Sequence, residues 1–466
     1  MRSKPQFVAL KIAVLAALPW LAAPPPSRAQ VTVFLEEPYA LDGELAGTGH
    51  TAVYLGSVCA ESPTVLRRCR PGESGAVLSR YHHVGGYDWL AIPLLPYLYA
   101  VERPQDIPLI ADVKIESAMR DAYRRKYLEE LIPDGSEGQT PPGDWYELVG
   151  SAFDRTLYGF QLATTPDQDD AFIAAYNDRT NHQAYKLVTS NCADFVRNVV
   201  NFYYPKATTR SFLADLDVAT PKHVAKSFVS YAHHHSDIPF TAFVIPQIPG
   251  SIKRSTPIHG VVDSVFKSKK YEIPLLVFHP FVGGGVALAY VVSGRFNPAR
   301  DAMMFSADGA FDQPLSNDQR RTYEKNLESM LHGEPDALQD PSGSALWREV
   351  QANAKFSPDD SGQPALLVTL HSEKTLPADS TVADAGSFVD KSSFIGLTRD
   401  NILNSTAPSA LTRELLVIRL RQELRKGTSP HTSEGVFRAD LALLEKILSS
   451  EQQAAISNAE TAQRER

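Results

Sequence analysis

The pattern of apolar and polar positions begins at Gln30 to Leu35, where β-branched residues alternate weakly and predict a strand. Pro38 to Gly49 is rich in turn formers. His50 to Leu55, Ala76 to Tyr81 and Trp89 to Pro93 follow as short strands, which together imply a small antiparallel sheet. Ile115 to Leu131, dense in Arg, Lys, Glu and Ala, has helical composition, and Asp134 to Asp144 is a Gly/Pro loop. Phe160 to Ala163 reads as a strand. Thr165-Pro166-Asp167-Gln168 then combines a capping residue, a proline at the first helical position and an early acid, and predicts a helix to about Tyr176. Asn177 to Asn181 breaks it, and Tyr185 to Val188 is a short strand or an extended entry to the next element. Phe195, Val196, Val199, Val200 and Tyr203 recur at helical spacing, so a helix is expected from Cys192 to Tyr203, with Pro205 as its stop.

Beyond Pro205 the pattern loosens. Lys206 to Tyr271 is mixed. Ile273 to Ser293 is uncharged and about long enough to cross a bilayer. Its prolines and Gly283-Gly284-Gly285 weaken a straight span, so a buried hairpin or helix is the alternative, and Lys and Arg on both flanks select no orientation. Asn297 to Asn404 is polar and loop-rich, and Leu411 to Glu460 forms a helical tail.

A chain of 466 residues exceeds one ordinary core. The expected organisation is a signal segment at 1–29, a folded domain at 30–205, a connecting region at 206–272, a candidate membrane span at 273–293 and a polar C-terminal region with a helical tail at 294–466. The overall class is α+β, a small sheet packed on helices. A net charge of −8 with no basic block gives no electrostatic reason for a nucleic-acid partner. Arg2, Lys4 and Lys11 precede the apolar run Ile12 to Ala23, and Ser27-Arg28-Ala29 resembles a signal-peptidase site. Export to the periplasm or cell envelope is expected, a retained N-terminal anchor being the alternative.

That compartment governs how the three cysteines are read. Cys59 and Cys69 bracket a short loop and are able to close on each other; the alternative is three reduced, buried thiols. A Cys59–Cys69 bond leaves Cys192 unpaired. Cys192 falls in the first turn of its helix, capped by Asn191 or Ser190, where unpaired N–H groups and the helix dipole favour a thiolate and can double as an oxyanion hole. The base must come from elsewhere. His50 follows Gly47-Thr48-Gly49 and opens a strand on which His50, Ala52 and Tyr54 share a face. A histidine at a strand edge can take the thiol proton and return it to a leaving group.

Gly49-His50-Thr51-Ala52-Val53-Tyr54, Leu162-Ala163-Thr164-Thr165, Tyr185-Lys186-Leu187 and Asn191-Cys192-Ala193-Asp194-Phe195-Val196-Arg197-Asn198-Val199 fall in the order seen in circularly permuted NlpC/P60 (papain-like) thiol enzymes. The closer resemblance is to the Lnb N-terminal periplasmic domain family, over roughly Gln30 to Pro205. The chain departs from that family at Ala193-Asp194, where small hydroxyl residues are common. The resemblance implies a permuted papain-like fold, Cys192 as nucleophile and His50 as base. It also implies the chemistry of lipoprotein N-acyltransferases, which move an acyl chain from phospholipid to a lipoprotein amine, with membrane association.

A third polar residue is expected to orient the base. Ser79, Tyr81, His82 and His83 are candidates, with His82 preferred, and Asp88 is a further one. Asn191, Tyr54 and Arg197 are supporting candidates, Arg197 as a ligand for phosphate or carboxylate or else as a plain salt bridge. His233-His234-His235 lacks the spacing of a zinc site and is read as a solvated loop, so no metal or other cofactor is expected. The leading expectation is acyl transfer through a Cys192 thioester, on a lipid, lipoprotein or peptide substrate. The alternatives are a papain-like peptidase or amidase acting on peptides or cell-wall fragments, and a catalytically silent envelope scaffold.

Overall fold

Strand β1 (Gln30–Glu36) is sandwiched between two cores because both its faces are apolar: Val31, Val33 and Leu35 on one side and Phe34 on the other are all buried. It pairs antiparallel with β2 (His50–Leu55) and with β7 (Leu157–Ala163), the register placing Glu36 opposite His50 and Leu157. Beyond β2 lie β5 (Ala76–Ser79) and β6 (Leu90–Pro93). Beyond β7 lie β8 (Phe240–Ile245), β9 (Met303–Phe305) and β10 (Phe311–Asp312). Among the described residues this makes an eight-stranded sheet in the order β10-β9-β8-β7-β1-β2-β5-β6, with β8 and β9 its parallel pair. The fold is α+β.

The computed structural model describes residues 29–39, 48–81, 84, 86–183, 185–186, 189–210, 215, 218–260, 296–331, 350, 352–359, 362–372, 389–403, 405, 409–424 and 432–464. The expected signal segment up to Arg28, the stretch Ile273 to Ser293, and His82 and His83 lie outside these. Among the described residues no helix is long and apolar enough to cross a membrane.

The first half follows its sequence pattern closely. The helix Pro166–Asp178 carries the reciprocal Thr165–Gln168 capping box that its opening residues predict. The helix Cys192–Tyr203 has the expected bounds and buries Phe195, Val196, Val199 and Val200 against Val31, Val33, Val53 and Leu55. The helix expected from Ile115 begins at Val113, capped by Asp112, and passes at Tyr123 into a wider turn over Arg124–Leu128. Cys59 and Cys69 form a disulfide across a hairpin of β3 (Val58–Ser62) and β4 (Val65–Arg68), which were not anticipated as strands.

The sheet does not end at Pro205. Strand β7 has an apolar second edge, and the alternating Phe240–Ile245 pairs along it in register from Leu157↔Ile245 to Leu162↔Phe240. Nor is the C-terminal region a detached polar tail. Leu109 N–H donates to Leu397 O at 2.7 Å, and Gly250 and Gln422 exchange two hydrogen bonds of 2.7 and 2.8 Å. The helices Ser409–Leu424 and Glu434–Arg464 bury Leu415, Leu416, Leu420, Phe437 and Leu444 in one core with Leu98, Ile110 and Ile115. Their apolar stripe needs a surface to cover it, and the first domain supplies one.

Candidate thiol site

The site forms where β2 and β5 diverge. Gly49 sets up the approach to β2 with φ +66°, and a Cβ there would stand 2.1 Å from Glu36 O. Only glycine fits, so the Gly49-His50 pair is a backbone requirement of the β1–β2 crossing. His50 is the first residue of β2 and is partly buried. Its Nε2 lies 2.7 Å from Ser79 Oγ, and its ring stacks on Tyr81 with centroids 4.8 Å apart and planes 17° apart. The Ser79 hydroxyl in turn donates to Thr51 O at 3.5 Å. With the Ser79 hydroxyl turned to Thr51 O, Nε2 donates to Ser79 and the lone pair is left on Nδ1. Of the third-residue candidates among the described residues, Ser79 is the one hydrogen-bonded to His50.

Cys192 is free, 6% exposed, and the first residue of its helix. The body of that helix packs on the Val53 face of the sheet, whereas Ala52, following His50 on its own face, belongs to the opposite core. The helix begins at the rim of the sheet, beside the start of β2. There the backbone N–H groups of Thr51 and Ala193 both stabilise the sulfur's anionic form. Thr51 directly follows His50, so the sulfur rests beside the backbone that carries the imidazole.

Arg80 fastens the two parts together. It is 4% exposed, and donates from Nη1 to Ser190 Oγ at 3.0 Å and to Asn191 O at 3.3 Å, while Nε reaches Asp88 O at 3.1 Å. Nη2 pairs with the Asp88 carboxylate and reaches Gln183 Oε1 at 3.2 Å. One guanidinium therefore holds the residue after Ser79 against the two residues before Cys192. Sequence reasoning missed it; the available signal was a lone charge inside the apolar run Ala76 to Tyr81.

The electrostatics depart from the expected thiolate. Burial pushes the Cys192 thiol up to about 12, outweighing the Thr51 and Ala193 N–H groups, and Glu36 and Glu147 add to the rise. Burial, assisted by the Arg155 guanidinium, pushes His50 down to about 3. The resting pair is thus a neutral thiol and a neutral imidazole. Behind them Glu36 accepts from Tyr97 OH, Tyr81 OH donates to Tyr97 OH at 3.3 Å, and Arg155 lies 3.7 Å from Glu36.

The other expected residues fall elsewhere. Tyr54 shares the His50 face, but its hydroxyl donates to Ser74 O at 2.6 Å and its ring stacks on Phe34, because four residues of strand carry it roughly 13 Å along β2. Asp88 serves Arg80 rather than His50. Asn191 spends its side chain on the capping box with Asp194 and on Ala219 O at 2.9 Å, so its support is positional. Arg197 turns to Asp194 at 3.6 Å, a carboxylate that Arg210 also holds at 2.5 Å. His233 and His234 end the helix Pro221–His234 and His235 caps it, instead of forming a loop; the His234 and His235 rings bond the carbonyls of Ser230 and Tyr231. No family model, curated protein or solved structure matches the chain.

Proposed function

We propose that this protein is an envelope thiol enzyme that transfers acyl groups through a thioester on Cys192, with His50 as base and Ser79 as the residue that orients it. The supporting observation is the convergence on one sulfur of the Thr51 and Ala193 N–H groups, Thr51 being the residue that follows His50, whose Nε2 is held by Ser79. His50 Nδ1 takes the thiol proton as sulfur attacks the acyl carbonyl, and returns it to the departing oxygen or nitrogen. The acceptor then loses a proton to Nδ1 as it attacks the thioester, freeing Cys192. The two N–H groups stabilise the thiolate as it forms, which a neutral resting thiol requires more than a preformed ion pair does.

The histidine strand precedes the cysteine helix in the chain, the order that the short motifs share with permuted papain-like enzymes, and we extend the reading on that motif resemblance to the chemistry of lipoprotein N-acyltransferases. A buried, uncharged thiol is a weak nucleophile and suits an ester carbonyl, which is more electrophilic and has a better leaving group than a peptide amide, so an ester donor such as a phospholipid is favoured. Intact-protein mass spectrometry after incubation with phospholipid vesicles tests this. The wild type is expected to gain one acyl mass that hydroxylamine removes, and Cys192→Ala to gain none. No adduct on wild type with phospholipid, alongside turnover of peptide amides, transfers the reading to an amidase or peptidase.

A further inference from the structure

A cavity of about 500 Å³ opens between the sheet and the C-terminal helices, away from Cys192. Its walls come from the segment after β8, from β9 and from the end of the helix Ser409–Leu424, with Ile107, Ile248 and Phe305 as apolar surface. Arg254 also lines it. Its Nη1 donates to Gln247 O at 2.7 Å, and among the described residues its guanidinium makes no other hydrogen bond and no ion pair. Of the four acids in the lining, Glu37, Asp308, Asp400 and Glu423, the two glutamates are committed elsewhere. Glu37 accepts from Tyr158 OH and from Ser255 Oγ, each at 2.7 Å, and Glu423 lies 3.1 Å from Arg419. Burial raises both carboxyls, which reduces the negative charge facing Arg254; Arg399, also in the lining, is held by Asp440 at 2.6 Å. A guanidinium set into a low-dielectric wall without an ion-pair partner calls for an anion, and the fork of remaining N–H groups matches a carboxylate or phosphate.

We propose that this cavity binds a small amphiphilic anion, its carboxylate or phosphate on Arg254 and its apolar part against Ile248 and Phe305. The volume lies within the range of sites that enclose a small organic molecule. Because both the sheet and the C-terminal helices line it, such a ligand joins the two and its binding stabilises their packing. The inference does not depend on the chemistry at Cys192.

Titration calorimetry on the full chain with octanoate, octyl phosphate, octanol and inorganic phosphate tests it. Octanoate or octyl phosphate is expected to bind once per chain, at least tenfold more tightly than octanol and than inorganic phosphate, and to raise the thermal unfolding midpoint. The preference between the two distinguishes a carboxylate from a phosphate ligand. Arg254→Gln is expected to lose at least tenfold in affinity, Arg254→Lys less, and the exposed Arg103→Gln nothing. Octanol binding as tightly as both anions, full affinity in a folded Arg254→Gln, or no saturable binding of either anion overturns the proposal. The wild-type comparison decides even where a variant fails to fold.

Discussion

His50 Nε2 and Ser79 Oγ lie 2.7 Å apart across the diverging ends of β2 and β5, and the Ser79 hydroxyl continues to Thr51 O. This short relay fixes which ring nitrogen is available, so the chemistry assigned to His50 depends on a neighbour that carries no charge.

Removing that neighbour separates positioning from folding. Ser79→Ala deletes the hydrogen bond to His50 and the longer one to Thr51 O, and is expected to cost about 1–2 kcal/mol of stability. Acylation of Cys192 is expected to slow by roughly 10- to 100-fold, since the imidazole loses its enforced tautomer. Rates of adduct formation by mass spectrometry, with Ser79→Thr restoring part of the loss, check this; an unchanged rate removes Ser79 from the site.

Cys192 and His50 each limit stability at one end of the pH scale. His50 falls from an ordinary value of 6.5 to about 3 on folding, so the unfolded chain binds the extra proton between these values and stability declines as pH drops from 6.5 toward 3. Cys192 rises from 9 to about 12, so the folded chain keeps its proton longer and stability declines as pH climbs from 9 toward 12. Urea titrations are expected to show Cys192→Ala flattening the alkaline limb and His50→Gln the acid limb. In the folded protein iodoacetamide is expected to alkylate Cys192 slowly at neutral pH and roughly tenfold faster per pH unit up to about pH 11. A reaction rate already maximal at pH 7 contradicts the neutral-thiol resting state.

Arg80 and Asp88, 4% and 7% exposed, form the buried pair that ties the strand to the cysteine turn. Arg80→Met is expected to destabilise by about 3 kcal/mol, because it strands a buried carboxylate whose next cation, Arg179, is 3.9 Å away. Adding Asp88→Asn is expected to recover about 1–2 kcal/mol of that loss. Denaturant midpoints of the single and double variants measure the coupling, and strict additivity rules it out.

Gly49→Ala places a methyl 2.1 Å from Glu36 O in a backbone conformation with φ +66°. A loss of at least about 2 kcal/mol is expected, together with disturbance of His50. Thermal unfolding and Cys192 labelling are expected to fall together; an intact midpoint means that the β1–β2 crossing relaxes without cost.

The strands Gln30–Glu36 and His50–Leu55 and the helices Pro166–Asp178 and Cys192–Tyr203 were legible because each depends on local signals: alternation, a capping box, a proline at N1, an apolar stripe with a stop. The places of Cys192 at a helix start and of His50 at a strand start were legible for the same reason. Ser79 stood among several equals, since nothing local distinguishes the hydroxyl that a second strand will bring within 2.7 Å.

The patterning along the chain was enough to determine many of the elements before Pro205, though not the β3–β4 hairpin, together with the helix start that carries the thiol and the strand start that carries the imidazole. Only the tertiary structure decided that Ser79 orients His50, that Arg80 locks the cysteine turn to the sheet, and that the sheet runs on through Phe240–Ile245. It also decided that the thiol rests neutral, because burial is a sum over all surrounding atoms and outweighs the local field of two N–H groups.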